Sequence, residues 1–201
     1  MRTAIASLLV LAVGGGTTSA QTVVGSSHDL SDDFTTPDNQ VCVYCHAPHN
    51  ALVDVPLWNH ASTTQTFTMY GSSTLDNTIA GQPSSISKQC LSCHDGVTNI
   101  DAYGGGAGTQ DMPTTFPGTG ATMGTDLSND HPVSINYDNT ADGGLNAPAG
   151  AAVGTLPLFG GGPIYTVECG TCHDSHDQAT YGNFLRASNN ASALCLTCHN
   201  K

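Results

Sequence analysis

Cys42-Val43-Tyr44-Cys45-His46 is the first copy of a five-residue pattern, C-x-x-C-H, around which the chain is organised. The other three copies are Cys90-Leu91-Ser92-Cys93-His94, Cys169-Gly170-Thr171-Cys172-His173 and Cys195-Leu196-Thr197-Cys198-His199. This pattern is the attachment signature of a c-type haem. Positions i, i+3 and i+4 of a helical turn share one face, so both thiols can reach the vinyl groups on one porphyrin edge while the imidazole reaches the iron. The sequence therefore predicts four covalently bound haem c groups.

Two other uses of the cysteines are zinc binding by C-x-x-C pairs and the formation of four disulfides. Neither requires a histidine directly after the second cysteine. All eight cysteines lie in the four copies, and the chain has nine histidines in 201 residues. Four coincidental histidines would then have a chance on the order of 10^-6, so we favour haem attachment over both alternatives.

Residues 1–20 resemble a secretory signal. Arg2 supplies a positive charge, residues 5–13 are apolar, and Thr18-Ser19-Ala20 is a small-residue cleavage site. The apolar stretch is too short to cross a bilayer as a helix, although a retained anchor helix is the alternative. We expect an exported protein, extracellular or at the cell surface or else in the periplasm, with no membrane insertion after cleavage.

The composition is polar and acidic. Apolar residues make up 38% of the chain, and 16 Asp and Glu oppose 4 Lys and Arg. Nucleic-acid binding, which needs clustered basic residues, is excluded, and a basic membrane-surface role has little support. So polar a chain buries too little side-chain surface to offset its conformational entropy. We therefore predict a multihaem cytochrome c that is mostly irregular, with short α-helices at the haem motifs and a core formed by the four haems.

The motifs divide the chain into two similar parts. Residues 41–95 and 168–200 each contain two motifs, and the first motif of each is followed by x-x-His. Between them, residues 96–167 are rich in glycine and proline and predict a loop-rich insert. Since neither part could bury its haems alone, residues 21–201 are expected to form a single tetrahaem domain.

Histidines also supply the expected axial ligands. His46, His94, His173 and His199 are the proximal ligands of their own motifs, and five histidines remain for the opposite faces: His28, His49, His60, His131 and His176. Methionine is the other common sixth ligand, but with histidines in excess Met69, Met112 and Met123 are interpreted as packing residues. A histidine three residues after a proximal ligand cannot reach the far face of the same haem, so His49 and His176 are expected to serve other irons.

These residues resemble a known family. The segments that carry the resemblance are Ser27-His28-Asp29, Cys42–Asn50, Pro56-Leu57-Trp58-Asn59-His60, Asp130-His131-Pro132-Val133 and the closing pair of motifs. They are similar to exported multihaem cytochromes of metal-reducing bacteria, and above all to the OmcE-like tetrahaem cytochromes that polymerise into extracellular nanowires. The resemblance implies bis-histidine haems stacked in a continuous line and a histidine donated to the next subunit. In related hexahaem filament cytochromes the donor stands at the place of His49, and His28 is the alternative.

The sequence thus predicts an electron-transfer protein and not an enzyme, assembled with copies of itself into a conducting filament. Its expected partners are redox cytochromes or extracellular acceptors such as metal oxides. A monomeric periplasmic electron shuttle is the first alternative. A multihaem reductase of nitrite or hydroxylamine is the second, and it requires an iron with an open site and a polar distal pocket. The excess of histidines argues against that enzyme.

Overall fold

The computed structural model describes residues 23–31, 40–49, 51 and 57–200. The predicted signal segment, residues 1–20, lies outside the described residues. Within the described part of the chain, no helix is long and apolar enough to cross a membrane.

Helices are short and few in the described residues. They are α1 (Ser85–His94), α2 (Met112–Thr115), α3 (Cys169–Cys172) and α4 (Ala193–Cys198), the last preceded by a 3-10 turn at Asn190–Ser192. Turns, bends and irregular segments make up most of the rest. The expectation of a mostly irregular chain with short helices is confirmed, and three of the helices carry the second, third and fourth motifs.

The first motif forms only a single turn. The backbone N–H of His46 donates to the carbonyl of Cys42 (2.8 Å), but Ala47 instead donates to Leu57 (2.8 Å). Pro48 explains the early end, because it has no N–H for the helical ladder and disfavours helical geometry at the residue before it.

The insert contains both small sheets of the described structure. Strand β1 (Ile135–Tyr137) pairs antiparallel with β4 (Tyr165–Val167), and β2 (Ala152–Val153) pairs antiparallel with β3 (Leu156–Pro157). Alternate residues of β1 point into the core. The strands and the residue that follows β3 supply one buried cluster: Ile135, Tyr137, Val153, Leu156, Leu158 and Val167. Leu194 and Cys198 of α4 pack against this cluster, so the insert supports the fourth motif.

Helices α1 and α3 approach each other closely. A Cβ added at Gly170 would lie 2.9 Å from Ile86 Cγ2 and 3.0 Å from the ring of Phe159. Only glycine fits at this contact without displacing a neighbour. The approach brings the second and third motifs together, and the Cys169 thiol and then burial raise the pKa of Cys90.

Candidate functional site

The four motifs follow one another in space in the order of the sequence. Burial and then the nearby Cys45 thiol raise the pKa of the Cys93 thiol, which links the first and second motifs. The Cys169 thiol, and then burial, raise the pKa of Cys90, which links the second and third. Burial, and then the Cys172 thiol, raise the pKa of Cys198, which links the third and fourth. Adjacent motifs are therefore adjacent in the fold.

The free carbonyls at the end of each motif are bound by a segment from elsewhere in the chain. The Asn59 side-chain amide donates to Val43 in the first motif (2.6 Å). The backbone of Met123 donates to His94 (2.8 Å) in the second, and that of Arg186 donates to Cys172 (2.9 Å) in the third. The Asn146 amide donates to Leu196 and Thr197 in the fourth. These bonds satisfy carbonyls that a short helix leaves open.

Three motif histidines face a second histidine ring. The ring centres of His46 and His176 are 6.2 Å apart, those of His94 and His28 are 6.2 Å apart, and those of His199 and His131 are 6.4 Å apart. Two imidazoles that ligate one metal ion from opposite faces, with metal–nitrogen bonds of about 2 Å, have ring centres roughly 6 to 6.5 Å apart. The three spacings therefore fit one iron within each pair.

Hydrogen bonds fix which ring nitrogen is available for a metal. Among the described residues, Nδ1 lies within hydrogen-bond distance of a backbone carbonyl in His28 with Ser175 (3.2 Å), His60 with Ala61 (2.8 Å), His94 with Ala121 (2.6 Å), His131 with Pro132 (3.0 Å) and His173 with Asn183 (3.0 Å). A carbonyl only accepts, so Nδ1 carries the proton and Nε2 of the neutral ring is free. This is the arrangement that supports a metal-ligating imidazole.

The surroundings of two paired histidines favour the neutral ring. Burial lowers the pKa of His28 below its ordinary value, although the bond to the Ser175 carbonyl opposes the shift. Burial, and then the positive charge that His176 would carry, lower the pKa of His46. Since only neutral imidazole binds a metal, both rings are held in their ligand form.

Trp58 provides a further test of fit. Its indole packs edge-on against His46, with ring centres 6.2 Å apart. The indole N–H is buried and has no acceptor among the described residues. A propionate of a haem bound at the first motif would satisfy this donor, so the residues fit the group.

His173, His49 and His60 remain outside the three pairs. Among the described residues, no histidine ring faces His173. His49 is exposed. His60 is 1% exposed, and its Nε2 lies 3.5 Å from Cys93 Sγ. Two candidate distal ligands thus remain for the third motif.

Several supporting residues were not identified from the sequence. The carbonyls that orient the histidines belong to the backbone, which leaves no side-chain pattern in a sequence. Phe184 stacks on His28, with ring centres 4.2 Å apart. Ser27 and Gln178 exchange two hydrogen bonds of 2.8 Å, which hold the segment around His28 against the residues that follow the third motif.

The alternatives for the cysteines find no counterpart here. All eight cysteines are free of disulfides. In the part of the chain that the structure describes, no group of three or more His, Cys, Asp or Glu side chains could hold a bare metal ion.

Comparison with known proteins gives one family match. The model of the doubled CXXCH motif matches residues 162–201. No curated protein matches the chain. The matched region contains the third and fourth motifs.

Proposed function

From the premise that the doubled CXXCH motif indicates covalently bound haem c in a multihaem electron-transfer cytochrome, we propose a more specific function. The protein is a tetrahaem, bis-histidine cytochrome that carries electrons along its length, is exported, and assembles with copies of itself into an extracellular conducting filament. It is not an enzyme. A bound haem supplies a one-electron iron couple, and the residues of the chain hold, orient and shield it.

The observation that carries this proposal is the set of three histidine pairs. Each pair joins a motif histidine to one from a distant segment, at spacings of 6.2, 6.2 and 6.4 Å. An iron with two histidine ligands has no open position for a substrate, which favours electron transfer over a reductase.

The order of the motifs supports a single electron path. Because cysteines of consecutive motifs are neighbours, the haem edges attached to them would also lie close together. We propose that electrons pass from the first motif to the fourth, or in reverse, in sequence order. The first and fourth motifs are then the two ends of the path, and a filament needs such ends so that electrons can pass between copies.

The unmatched histidines support assembly. His173 has no facing histidine within the described residues, and His49 is exposed next to the first motif. His28, the alternative donor, faces His94 instead. We propose that His49 of one copy completes the iron at the third motif of the next, and that His60 is the spare. Filament growth and completion of the last iron would then be one event.

Mass and spin state test the tetrahaem assignment. The intact mass of the purified protein should include four covalent haems, and the assembled protein should be low-spin in both redox states and bind carbon monoxide poorly. Fewer haems, or bound zinc, would contradict the proposal. A large high-spin fraction in assembled protein would favour the reductase.

Filament formation has its own test. His49→Ala should keep four covalent haems but remain monomeric with one high-spin iron, and electron microscopy of the secreted fraction should show no filaments. His60→Ala, the comparison variant, should still form low-spin filaments. Long, fully low-spin filaments of His49→Ala would exclude His49 as the link. Wild-type protein that stays monomeric would favour the periplasmic shuttle.

A further inference from the structure

Glu168 is the only glutamate in the chain and directly precedes the third motif. It is 1% exposed. Its side chain lies where α1, α3 and the end of β4 meet, at the junction of the second and third motifs. Neither haem attachment nor the histidine pairs use it.

Three hydroxyl groups donate hydrogen bonds to the side-chain carboxyl group of Glu168. Ser87 donates to Oε2 (2.5 Å), Ser134 donates to Oε2 (2.9 Å) and Thr166 donates to Oε1 (2.8 Å). These three contacts join α1, β4 and the segment that leads into β1 through a single side chain.

Two of these hydroxyls also accept a hydrogen bond from a backbone N–H group. The Ser87 hydroxyl accepts from the backbone N–H of Cys169 (3.0 Å), and the Ser134 hydroxyl accepts from that of Ser84 (3.0 Å). Each hydroxyl has one proton, and in both cases Glu168 receives it. An ionised carboxylate only accepts, so it satisfies all three of these donors at once.

No cation neutralises this charge in the described part of the chain. The ion pairs found there belong to Asp174, which binds Arg186 (2.9 Å) and His176 (3.5 Å). Glu168 is therefore a buried acidic group that is held by three hydroxyl donors and by the backbone at the start of α3, with no ion pair among the described residues. In a poorly polarisable interior, such a charge acts on its neighbours over several ångströms.

Glu168 lies next to one attachment cysteine and is hydrogen-bonded to the helix that carries another. Glu168 is bonded in sequence to Cys169, and Ser87 lies one helical turn before Cys90 on α1. Oxidised iron carries one more positive charge than reduced iron, so a fixed negative charge nearby stabilises the oxidised state and lowers the reduction potential.

We propose that Glu168 is a fixed buried charge that lowers the reduction potentials of the irons at the second and third motifs relative to those at the first and fourth. The inference rests on the haem attachment of the proposed function. It gives the electron path a pair of low-potential sites in its middle.

Potentiometry of the complete holoprotein tests this role. Glu168→Gln should raise the midpoint potentials of two of the four haems, by about tenfold in the redox equilibrium constant, which is about 59 mV for one electron. Glu168→Asp, which keeps the charge, should restore the low potentials. Asp138→Asn, which removes a charge from the protein surface, should leave all four potentials near those of the wild type.

Haem content and spin state are measured first, so a protein without four haems contradicts the proposed function and not this inference. With four low-spin haems present, unchanged potentials in Glu168→Gln would overturn the inference. Restoration of wild-type potentials by Glu168→Asp, but not by other variants, excludes a purely structural effect.

A second measurement needs no variant. Because the chain has a single glutamate, carboxyl-13C glutamate labels one site in the wild-type protein for infrared spectroscopy. The labelled band should be that of an ionised carboxylate and should shift when the haems are reduced. A protonated-acid band, or a carboxylate band that does not respond to reduction, would overturn the inference even if Glu168→Gln failed to fold.

Discussion

Asp95 illustrates how a single side chain organises the chain next to a proximal ligand. It follows His94 and is 1% exposed. It accepts hydrogen bonds from the Thr63 hydroxyl (2.6 Å), the Thr98 hydroxyl (2.7 Å) and the backbone N–H groups of Val97 (2.8 Å) and Thr98 (2.7 Å). Burial raises the pKa of Asp95, but these bonds outweigh it and the pKa lies below its ordinary value.

Replacement of Asp95 by asparagine should destabilise the holoprotein by about 1–3 kcal/mol, because an amide group would face hydroxyls that have no other acceptor. The midpoint of guanidinium unfolding, followed by far-UV circular dichroism, measures the change. Asp138 makes a similar turn at the surface with Thr140 (2.6 and 2.8 Å). Asp138→Asn should therefore change stability by at most about 0.5 kcal/mol, and an equal loss in both variants would contradict the role of burial.

The pairing of His131 with His199 gives a second prediction at this scale. His131→Ala should retain four covalent haems but convert one iron to a high-spin form that binds carbon monoxide, because the facing ring at 6.4 Å is removed. Electron paramagnetic resonance and carbon monoxide titration measure this change. Asp130→Asn, at the neighbouring position, should remain fully low-spin. A fully low-spin His131→Ala would assign the ligand to another residue.

The sequence is informative for chemistry that is local. The attachment cysteines and proximal histidines can be recognised because both thiols and the imidazole must lie within one turn. The histidine that faces each motif histidine cannot be recognised in the same way. His28 and His131 lie far in sequence from the rings that they face, and only the fold brings them together. The sequence identifies five candidate histidines but does not indicate which of them faces which motif histidine.

At the scale of elements, the contact between α1 and α3 sets how closely two motifs approach. Gly170→Ala should destabilise the protein by about 1–3 kcal/mol, because the new methyl group would contact Ile86 at 2.9 Å and Phe159 at 3.0 Å. Denaturant unfolding again measures the change. Gly71 has open space around it, so Gly71→Ala is the matched control and should have little effect. Equal stability of the two variants would show that the helices can separate freely.

The strands show why sequence patterns missed some elements. Strands of two or three residues are too short for an alternating pattern to stand out, and β1 pairs with β4, which follows it by roughly 30 residues in the chain. Glycine and proline predicted loops there, which is what most of that segment forms. The buried cluster arises from tertiary contacts that no local window contains.

At the scale of the whole molecule, the buried side chains of the described residues form three separate small clusters. Besides the cluster of the insert, one contains Tyr44, Ile100 and Met112 and another contains Phe67, Leu91 and Leu127. Such small clusters contribute little against the conformational entropy of a chain of this length.

The protein produced without haem attachment should therefore be largely unfolded. Its far-UV circular dichroism and its rate of proteolysis should resemble those of a disordered chain, whereas the holoprotein should resist protease. Cys42→Ala combined with Cys45→Ala should remove one haem and give an intermediate rate. A protease-resistant apoprotein would show that the side-chain clusters are sufficient for folding.

The pairing of His46 with His176 has a consequence for biogenesis. A ribosome makes the first motif early, but His176 lies in the last quarter of the chain, so the ligand that we propose for the first iron is among the last residues synthesised. Until then, any iron attached at that motif has an exposed face that reacts with small molecules. Maturation of this cytochrome must therefore shield its earliest haem for longest, and a chain truncated before residue 176 should retain a reactive first haem however well it is attached.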